Sequence, residues 1–572
     1  MSITQTIVNE DDQHLSGISV SNGIAIGKAF ILSYNNDLSD QYSNEFMGVE
    51  SEKLRLKNAY SSVKKEYKNA LKIVSKSDKE TINILKSETM ILEDEYFLRQ
   101  IHKSIERNIN AENAVINEFL KTETKLRQAE DPIIREKYFE FENIKKKILF
   151  NLQNLNLRKQ IERNSIIIAH SISPIEIVQL KRKNIKAIIT EIGGITSHFV
   201  ILARSYKIPT IIGVANATEL VKNNDVVIVD AINSNIIINP NDEEINSYKK
   251  KISELRKKQK HLIYLNNQPT KTKDNYKVSI FCNINNDNDI EEAKKLNSDG
   301  LGLVRTETLV MKYGKLPSME EQYRNYNEIA KQMYPKPVIF RAFDLGSDKY
   351  LDEILTKEEN PALGLRGIRY LLKNTELFAN QIKAILMASK LKNVKLMLPM
   401  VSSICEIKQA KELINLVKIE LLSQRIEFDD EMPIGIMIET PAAAIIAENF
   451  AKIVDFFSIG TNDLVQYVLA ADRTNEHLSE YFNQVHISIL KIIQQVANAS
   501  KNHNIPVAIC GELAGYSNMT PIFIGLGINE LSVAPSSYLE IKEEVLTIGY
   551  EESITNTNAI INNEILCDFI KY

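Results

Sequence analysis

The sequence has few of the residues that mark disulfide-stapled, zinc-binding or membrane-spanning proteins. Its 572 residues include four cysteines and no tryptophan. The cysteines are scattered without a CxxC pair, which argues against a disulfide framework and against a zinc module. No uninterrupted apolar run approaches the roughly 18 residues that a membrane span requires. The N-terminus is polar and acidic, so we expect no signal peptide. These absences favour a soluble protein of a reducing compartment, and we expect it in the cytoplasm.

Net charge is also nearly absent. Seventy basic and 74 acidic side chains leave a formal charge of −4, so no overall positive field favours a nucleic-acid partner. Hydrophobic residues make up 44% and charged residues 25%, which excludes a wholly disordered chain. The length predicts three or four domains of about 150 residues each.

The first half of the chain changes twice in composition and in the spacing of its apolar residues. Residues 17–33 are predicted to form one or two short strands. The stretch 45–155 has one glycine and one proline, and its apolar residues recur at helical spacing. Short β-rich segments return over 165–240, with one helix-like stretch at 198–207. The pattern predicts a compact α/β domain interrupted by a helical hairpin or bundle, followed by a charged helical linker at 241–265.

The second half alternates strands with helices. Eight apolar strands are predicted, and eight strands over roughly 300 residues are typical of a (β/α)8 barrel. Chemistry in such barrels gathers where the strands end, and six of the eight strand ends carry charged or reactive groups, which favours an enzyme. The strands are expected at 278–284, 300–307, 337–344, 394–401, 433–440, 454–463, 506–512 and 530–536.

A glycine pair, Gly193 and Gly194, follows one of the short strands and opens the string GGITSHFVILAR. The pair permits a tight turn, and Thr196 or Ser197 can cap the following helix, whose start favours anions. His198 at that helix start could carry a phosphoryl group on a ring nitrogen. A lone histidine is more often structural, so the surrounding string has to decide between the two interpretations.

The string resembles the phosphohistidine domain shared by the Enzyme I family of the bacterial phosphotransferase system, pyruvate phosphate dikinase and phosphoenolpyruvate synthase. GLGLVRTE, FRAFDLGSDK, GIMIETPAAA and CGELAG are similar to the phosphoenolpyruvate-binding barrel of the same superfamily. Dikinases and synthases place a large nucleotide-grasp domain in front, and the nitrogen-related Enzyme I variant a GAF domain, for which we expect no room here. The order of segments therefore matches the Enzyme I family that serves sugar transport.

The resemblance implies a multidomain α/β fold: a phosphohistidine α/β domain with an inserted helical subdomain, then a C-terminal (β/α)8 TIM-type barrel. It also implies that the insertion docks the phosphocarrier protein HPr and that the barrel forms a homodimer. The expected divisions are an N-terminal extension at 1–16, the α/β domain at 17–40 and 160–240, the insertion at 41–159, the linker helix at 241–268 and the barrel at 269–572.

The implied activity is transfer of the phosphoryl group of phosphoenolpyruvate, through a phosphohistidine on His198, to HPr, with release of pyruvate. Cys510 matches the family's proton donor to enolpyruvate, a role that a thiol at a barrel mouth can fill. The alternative for any cysteine in a strand is a buried, inert thiol. Domain rotation would carry His198 between its two partners, with the predicted linker as the hinge.

The implied substrate site needs several cations, because phosphoenolpyruvate carries a carboxylate and a phosphate that guanidinium forks bind well. Glu439 and Asp463 match the family's Mg²⁺ ligands, although Glu439 could instead be the buried partner of an arginine. Arg366 and Lys349 are weaker candidates. The residues that match the family's substrate contacts are Arg305, Arg341, Asn462, Asp463 and Arg473.

Two rival functions stay open at this point. A nucleotide-free relative of the dikinases would deliver the phosphoryl group to a small molecule, although such an acceptor needs no docking subdomain. A catalytically silent regulatory or scaffold protein would have no need for the complete set of candidate site residues.

Overall fold

The computed structural model describes residues 14–32, 46–74, 79–127, 132–153, 161–194, 197–346, 360–472, 478 and 485–563. The chain divides into two compact units, Met1–Lys257 and Lys258–Tyr572. The division falls within the predicted linker helix. Over the described ranges, no helix is both long and apolar enough to cross a lipid bilayer.

The first unit contains an eight-stranded mixed sheet. Its strands are β1 (His14–Ser16), β2 (Ile18–Ser21), β3 (Ile24–Leu32), β4 (Ile166–Ala169), β5 (Ala187–Thr190), β6 (Thr210–Ile212), β7 (Val226–Asp230) and β8 (Asn235–Ile238). The spatial order is β1-β8-β7-β3-β4-β5-β6-β2. Strands β3 to β6 pair in parallel, and the remaining pairs are antiparallel. Every residue of β4 and β5 is buried, as expected for parallel strands that are covered on both faces.

Five helices lie between β3 and β4 and form the predicted insertion. They are α1 (Val49–Ile73), α2 (Lys79–Leu92), α3 (Glu95–Glu106), α4 (Ala111–Arg127) and α5 (Pro132–Leu152). The apolar stripe of α1 is buried at Leu56, Val63 and Tyr67. It packs in one hydrophobic cluster with Ile167 and Ile188 of the sheet, so the insertion and the sheet share a core.

Among the described residues, three further helices lie in the first unit, namely α6 (Pro174–Arg182), α7 (His198–Ser205) and α8 (Ala217–Leu220), and α9 (Asp242–Leu265) runs across the division between the units. The sequence predicted the helix at α7 and the linker at α9 but missed α6. Residues 174–178 and Leu180 are all buried and only the last turn is exposed, so the nine residues of α6 are too few to give the sequence a clear helical period. At the start of this helix the Ser173 N–H donates to Glu176 Oε2 at 2.9 Å, and a proline lies in the first turn.

The second unit is a closed barrel of eight parallel strands. They are β9 (Ser279–Ile284), β10 (Leu301–Arg305), β11 (Val338–Arg341), β12 (Val394–Leu398), β13 (Ile434–Ile438), β14 (Phe457–Ile459), β15 (Val507–Ile509) and β16 (Glu530–Val533). Each strand pairs with the next along the chain, and β16 pairs with β9 to close the barrel. All eight predicted strands are present, and the predicted fold class is confirmed.

Helices surround the barrel and bury the outer faces of its strands. They are α10 (Asp287–Lys295), α11 (Thr308–Tyr313), α12 (Met319–Met333), α13 (Ile368–Lys373), α14 (Thr375–Ala388), α15 (Ile404–Ser423), α16 (Pro441–Ile445), α17 (Ala447–Phe450), α18 (Thr461–Leu469), α19 (Ile487–His503), α20 (Thr520–Gly525), α21 (Tyr538–Thr547) and α22 (Tyr550–Asn563). A second, smaller cluster fills the barrel interior: Leu303, Ile339, Met397, Met437, Phe456 and Cys510.

Candidate active site

The carboxyl ends of the barrel strands surround an open cavity. Side chains alternate inward and outward along each strand, so the residue two beyond an interior apolar residue also faces the axis. Arg305, Arg341 and Glu439 occupy this position above Leu303, Ile339 and Met437. The polar residues lining the cavity are Arg305, Glu307, Arg341, Asp344, Arg366, Glu439, Asn462, Asp463 and Cys510.

Six of the residues expected from the sequence are therefore brought together here: Arg305, Arg341, Glu439, Asn462, Asp463 and Cys510. Two others, Lys349 and Arg473, lie outside the described residues, so their placement stays a prediction.

Arg366, a minor candidate from the sequence, forms two of the ion pairs in the cavity. Its Nε and Nη2 atoms donate to both carboxylate oxygens of Asp344, at 3.1 and 2.7 Å. Its Nη1 donates to Asp463 Oδ1 at 3.0 Å and to the Tyr467 hydroxyl at 3.3 Å. The two carboxylates raise the pKa of this guanidinium against the opposing effect of burial, so it stays charged.

Arg341 pairs with Glu307 and shares Asp344 with Arg366. Its Nη2 donates to Glu307 Oε1 and lies 3.3 Å from Asp344 Oδ2. Three polar atoms in this part of the site are buried and have no hydrogen-bond partner among the described residues: Arg305 Nε, Arg341 Nε and Glu307 Oε2. A buried donor without a partner is costly, so the unused arginine donors indicate that an anion completes the site.

Glu439 is held by the backbone of a neighbouring strand end. Its Oε1 accepts a hydrogen bond of 2.6 Å from the Met400 N–H. Met400 has a φ of 57°, a strained value for a side chain of this kind, and such strain is concentrated at functional sites. Burial, with Asp463 and Asp344 nearby, raises the pKa of Glu439 to about 8.

The mutual repulsion of these carboxylates is the kind that a bound cation relieves. Within the described residues, no cluster of three or more His, Cys, Asp or Glu side chains is arranged to hold a metal by itself. Glu439 and Asp463 carry carboxylate oxygens, the hard ligands that Mg²⁺ prefers, and two such residues would leave the other coordination positions to substrate and water. The residues present therefore fit the predicted ion.

Cys510 lies directly after β15 and is 3% exposed. Its thiol donates to the Ile459 carbonyl at 3.5 Å. Burial raises the pKa of the thiol to about 11, so it keeps its proton at neutral pH. A protonated thiol at the edge of the cavity is chemically able to act as an acid.

Asn462 is engaged within the protein. Its Nδ2 donates to Glu512 Oε1 at 2.8 Å, and its Oδ1 accepts from the Glu512 N–H at 2.8 Å. The pair fixes the orientation of the amide. One amide hydrogen remains for the cavity.

The histidine string forms a turn and a helix start, as expected. Ser197 stands at the N-cap position of α7 but makes no capping bond; its hydroxyl donates to the Gly194 carbonyl at 2.7 Å instead. A side chain at Gly193 would lie 2.9 Å from the Phe199 ring, so close packing requires glycine there. His198 is the first residue of α7. Its side chain, like the whole of Thr196, lies outside what the structure describes.

Sequence analysis did not give a role to Glu307 and Asp344, which line the cavity, or to Tyr467, which contacts Arg366. Glu307 and Asp344 are the acidic ends of the strings RTE and RAFD, where they follow Arg305 and Arg341 by two and three residues. They could have been predicted by assuming that all the side chains at the carboxyl ends of the strands lie in one layer of the barrel. Tyr467 lies one helical turn after Asp463 in α18, and its hydroxyl donates to the Ala362 carbonyl.

Three family models match: "PEP-utilising enzyme, N-terminal" over residues 16–137, "PEP-utilising enzyme, mobile domain" over 161–234 and "PEP-utilising enzyme, PEP-binding domain" over 259–550. A phosphoenolpyruvate-protein phosphotransferase of Buchnera aphidicola subsp. Baizongia pistaciae is 40% identical over 92% of this chain and 93% of its own. The chain belongs to the phosphoenolpyruvate-protein phosphotransferase family.

Two further members of the family support this assignment. The relative from Buchnera aphidicola subsp. Schizaphis graminum is 37% identical over 94% of this chain and 95% of its own. The relative from Listeria innocua is 35% identical over 96% and 97%. Both relatives are named phosphoenolpyruvate-protein phosphotransferase. The matches extend over nearly the full length of these enzymes.

Proposed function

We propose that the protein transfers the phosphoryl group of phosphoenolpyruvate to His198 and then to the phosphocarrier protein HPr, with release of pyruvate. This is the first step of the sugar phosphotransferase system. The observation that carries the proposal is the set of buried arginine donors at the barrel mouth that have no partner among the described residues. The relatives are named phosphoenolpyruvate-protein phosphotransferase, and this name supports phosphoenolpyruvate as the phosphoryl donor and a protein as the acceptor.

The arginines bind and orient the substrate. Arg305 and Arg341 offer their unused Nε donors to the two anionic groups of phosphoenolpyruvate, and Arg473 is proposed as a third cation. Glu307 and Asp344 hold the Arg341 guanidinium at its place on the cavity wall. Because this geometry exists before substrate arrives, little reorganisation is needed when charge develops on the phosphoryl oxygens.

Glu439 and Asp463 would hold the Mg²⁺ ion. When bound, this ion polarises the phosphoryl group and neutralises negative charge during transfer. Arg366 keeps Asp463 in place through their 3.0 Å contact, and the Met400 N–H does the same for Glu439.

The reaction needs an attack on phosphorus and then a proton transfer. A ring nitrogen of His198 forms the P–N bond as the bond between phosphorus and the enol oxygen breaks, which leaves enolpyruvate. The Cys510 thiol then gives its proton to the methylene carbon, and the thiolate that remains regains a proton from water. The raised pKa of Cys510 keeps the thiol in the required form at neutral pH.

The helical insertion, α1 to α5, is the proposed docking site for HPr, and the predicted linker is the proposed hinge. We further propose a homodimer formed through the barrel and a cytoplasmic location. A small-molecule acceptor is the competing proposal for the second step. It would make a docking subdomain unnecessary.

Labelling with radioactive phosphoenolpyruvate and Mg²⁺ tests the proposal. The wild-type protein is expected to take up acid-labile, base-stable label, and the His198→Ala protein none. His170→Ala is the matched control, because His170 also follows a strand of the first unit, where it pairs with Glu191 at 2.6 Å. This control should keep the label. Label that persists in His198→Ala refutes the proposal. Label that stays on the protein after HPr is added refutes the second step.

A further inference from the structure

Cys510 lies just beyond the end of its strand ladder. The pairing of β15 with β16 covers only Ala508 and Ile509. The Cys510 N–H donates to the Ile459 carbonyl of β14 at 3.1 Å. The Cys510 carbonyl lies beyond the last residue of β15 that pairs with β16. A hydrogen bond to this carbonyl from the barrel interior must therefore come from a side chain.

Asn283 of β9 makes this contact. Its Nδ2 donates to the Cys510 carbonyl at 3.1 Å and to the Ser532 carbonyl of β16 at 3.1 Å. Its Oδ1 accepts from the Ser532 hydroxyl at 2.6 Å. Both amide hydrogens and the amide oxygen are therefore used. The amide has one possible orientation, because reversing it would turn its oxygen toward two carbonyls.

The surroundings leave this arrangement little freedom. A side chain at Gly302 of β10 would lie 2.3 Å from the Ser532 hydroxyl, so the neighbouring strand packs directly against it. A side chain at Gly511 would lie 1.8 Å from Thr461 Oγ1, so the residue after Cys510 is pressed against the start of α18. Cys510 is thus fixed on both sides, and Asn283 joins three strands behind it.

We propose that Asn283, supported by Ser532, is a positioning residue that sets the direction in which the Cys510 thiol delivers its proton. The inference rests on the proposed function, because it needs Cys510 to be the acid that protonates enolpyruvate. Asn283 is not among the residues that line the cavity. Its effect should therefore fall on proton delivery rather than on substrate binding.

Asn283→Asp is the main test, because the substitution keeps the size of the side chain but replaces the donor with an acceptor that faces two carbonyls. We expect pyruvate formation in a single turnover to slow about 10- to 100-fold, since a misplacement of about 1 Å can cost about 100-fold. The phosphoenolpyruvate concentration at half-maximal rate should stay within about twofold. The solvent deuterium isotope effect on pyruvate formation should rise, because proton delivery becomes the slow step.

Two further variants make the test specific. Ser532→Ala removes the donor to Asn283 Oδ1 and should slow the same step by about three- to tenfold, with the same rise in isotope effect. It also replaces Asn283→Asp as the test should that protein not fold. Asn285→Asp is the charge-matched control, since Asn285 is exposed just beyond the end of the same strand. Its rates should stay within about twofold of wild type.

The outcomes separate this inference from the proposed function. If wild type forms no phosphohistidine, the proposed function fails and this inference fails with it. If wild type forms phosphohistidine and Cys510→Ala loses pyruvate formation, the proposed function stands. In that case, an unchanged isotope effect in both Asn283→Asp and Ser532→Ala, or an equal slowing in Asn285→Asp, would overturn the role of Asn283.

Discussion

The two units each contain an arginine paired with two carboxylates, half-buried in the first unit and buried in the second, and the two networks differ in what they leave unused. In the insertion, Arg55 pairs with Glu52 at 2.9 Å and with Glu112. Glu52 also accepts hydrogen bonds from the N–H groups of Met47 and Ala111, at 3.2 and 3.0 Å. These bonds join the start of α1 to the start of α4, and they hold the fold together.

The network at the barrel mouth contains the same residue types but leaves some of its hydrogen-bonding groups without a partner among the described residues. Arg305 and Arg341 each have a buried Nε without a partner among the described residues, and Glu307 has an unpaired oxygen. Buried charge by itself therefore does not distinguish a functional site from a structural one. The distinction lies in donors that the fold positions and leaves for a ligand.

The largest expected difference between the two networks is in phosphotransfer. Arg341→Lys keeps the charge but loses the planar fork, and we expect the initial rate of labelling from phosphoenolpyruvate to fall about 100-fold or more. Arg55→Lys is the matched substitution in the insertion and should change that rate by less than about threefold. Equal losses in the two variants would contradict the assignment of the mouth as the site.

The next difference is in stability. Arg366→Met leaves Asp344 and Asp463 buried without their main partner, which should cost the second unit about 3–5 kcal/mol of unfolding free energy. Arg55→Met should cost the first unit less, about 1–2 kcal/mol, because the side chain of Arg55 is 26% exposed and Glu52 keeps its backbone donors. Urea unfolding, followed by probes placed in each unit, measures both values. A smaller loss for Arg366→Met than for Arg55→Met would reverse the comparison.

Ligand binding should stabilise one unit only. Phosphoenolpyruvate with Mg²⁺ at about 100 times its Kd is expected to add about 2.7 kcal/mol to the second unit. The first unit should not respond. The His198→Ala protein is the sample for this measurement, because it cannot consume the ligand. Thermal unfolding that shows stabilisation of the first unit alone would place the ligand elsewhere.

The smallest effect concerns two buried glutamates whose pKa values are both raised to about 8, Glu88 in the insertion and Glu439 at the mouth. Burial is the main cause in each case. An unfolded glutamate ionises near 4.5, whereas folded Glu88 keeps its proton up to about 8. Stability of the first unit therefore falls as the pH rises across this window, and Glu88→Gln should remove about 1–3 kcal/mol of that loss by pH 8.

Labelling distinguishes the two glutamates further. Glu88→Gln should keep the rate of phosphohistidine formation, while Glu439→Gln should lose it because a proposed ligand of the Mg²⁺ ion is gone. The pH dependence of urea unfolding checks the expected fall in the stability of the first unit as the pH rises. A pH profile of Glu88→Gln that is parallel to wild type between pH 5 and 8 would show that Glu88 does not titrate in this way.

Much of the fold could be predicted from the sequence, because its signals are local. The eight barrel strands are short apolar runs with helix-length stretches between them, and the stripe of Leu56, Val63 and Tyr67 marks a helix that buries one face. Helix α6 was missed because its nine residues are too few to give a clear helical period. The strand ends also predicted which residues gather at the mouth, since parallel strands place their carboxyl ends on one side.

The pairings within the site could not be predicted, because they depend on closure of the barrel. Asn283 and Cys510 are 227 residues apart in sequence, and they meet because β16 pairs with both β9 and β15. Arg366 lies in a loop between β11 and α13, so no periodicity marks it. Its contacts with Asp344 and Asp463 join residues that are 22 and 97 positions away in sequence.

The central claim is that the unused donors at the barrel mouth bind phosphoenolpyruvate. Equilibrium dialysis of labelled phosphoenolpyruvate with Mg²⁺ against the His198→Ala protein tests it most directly, because binding is then measured without phosphoryl transfer. We expect one bound molecule of phosphoenolpyruvate per chain. We also expect that adding Arg305→Ala weakens binding about 100-fold, whereas adding Arg55→Ala leaves binding unchanged. Undiminished binding in the Arg305→Ala protein would contradict the account.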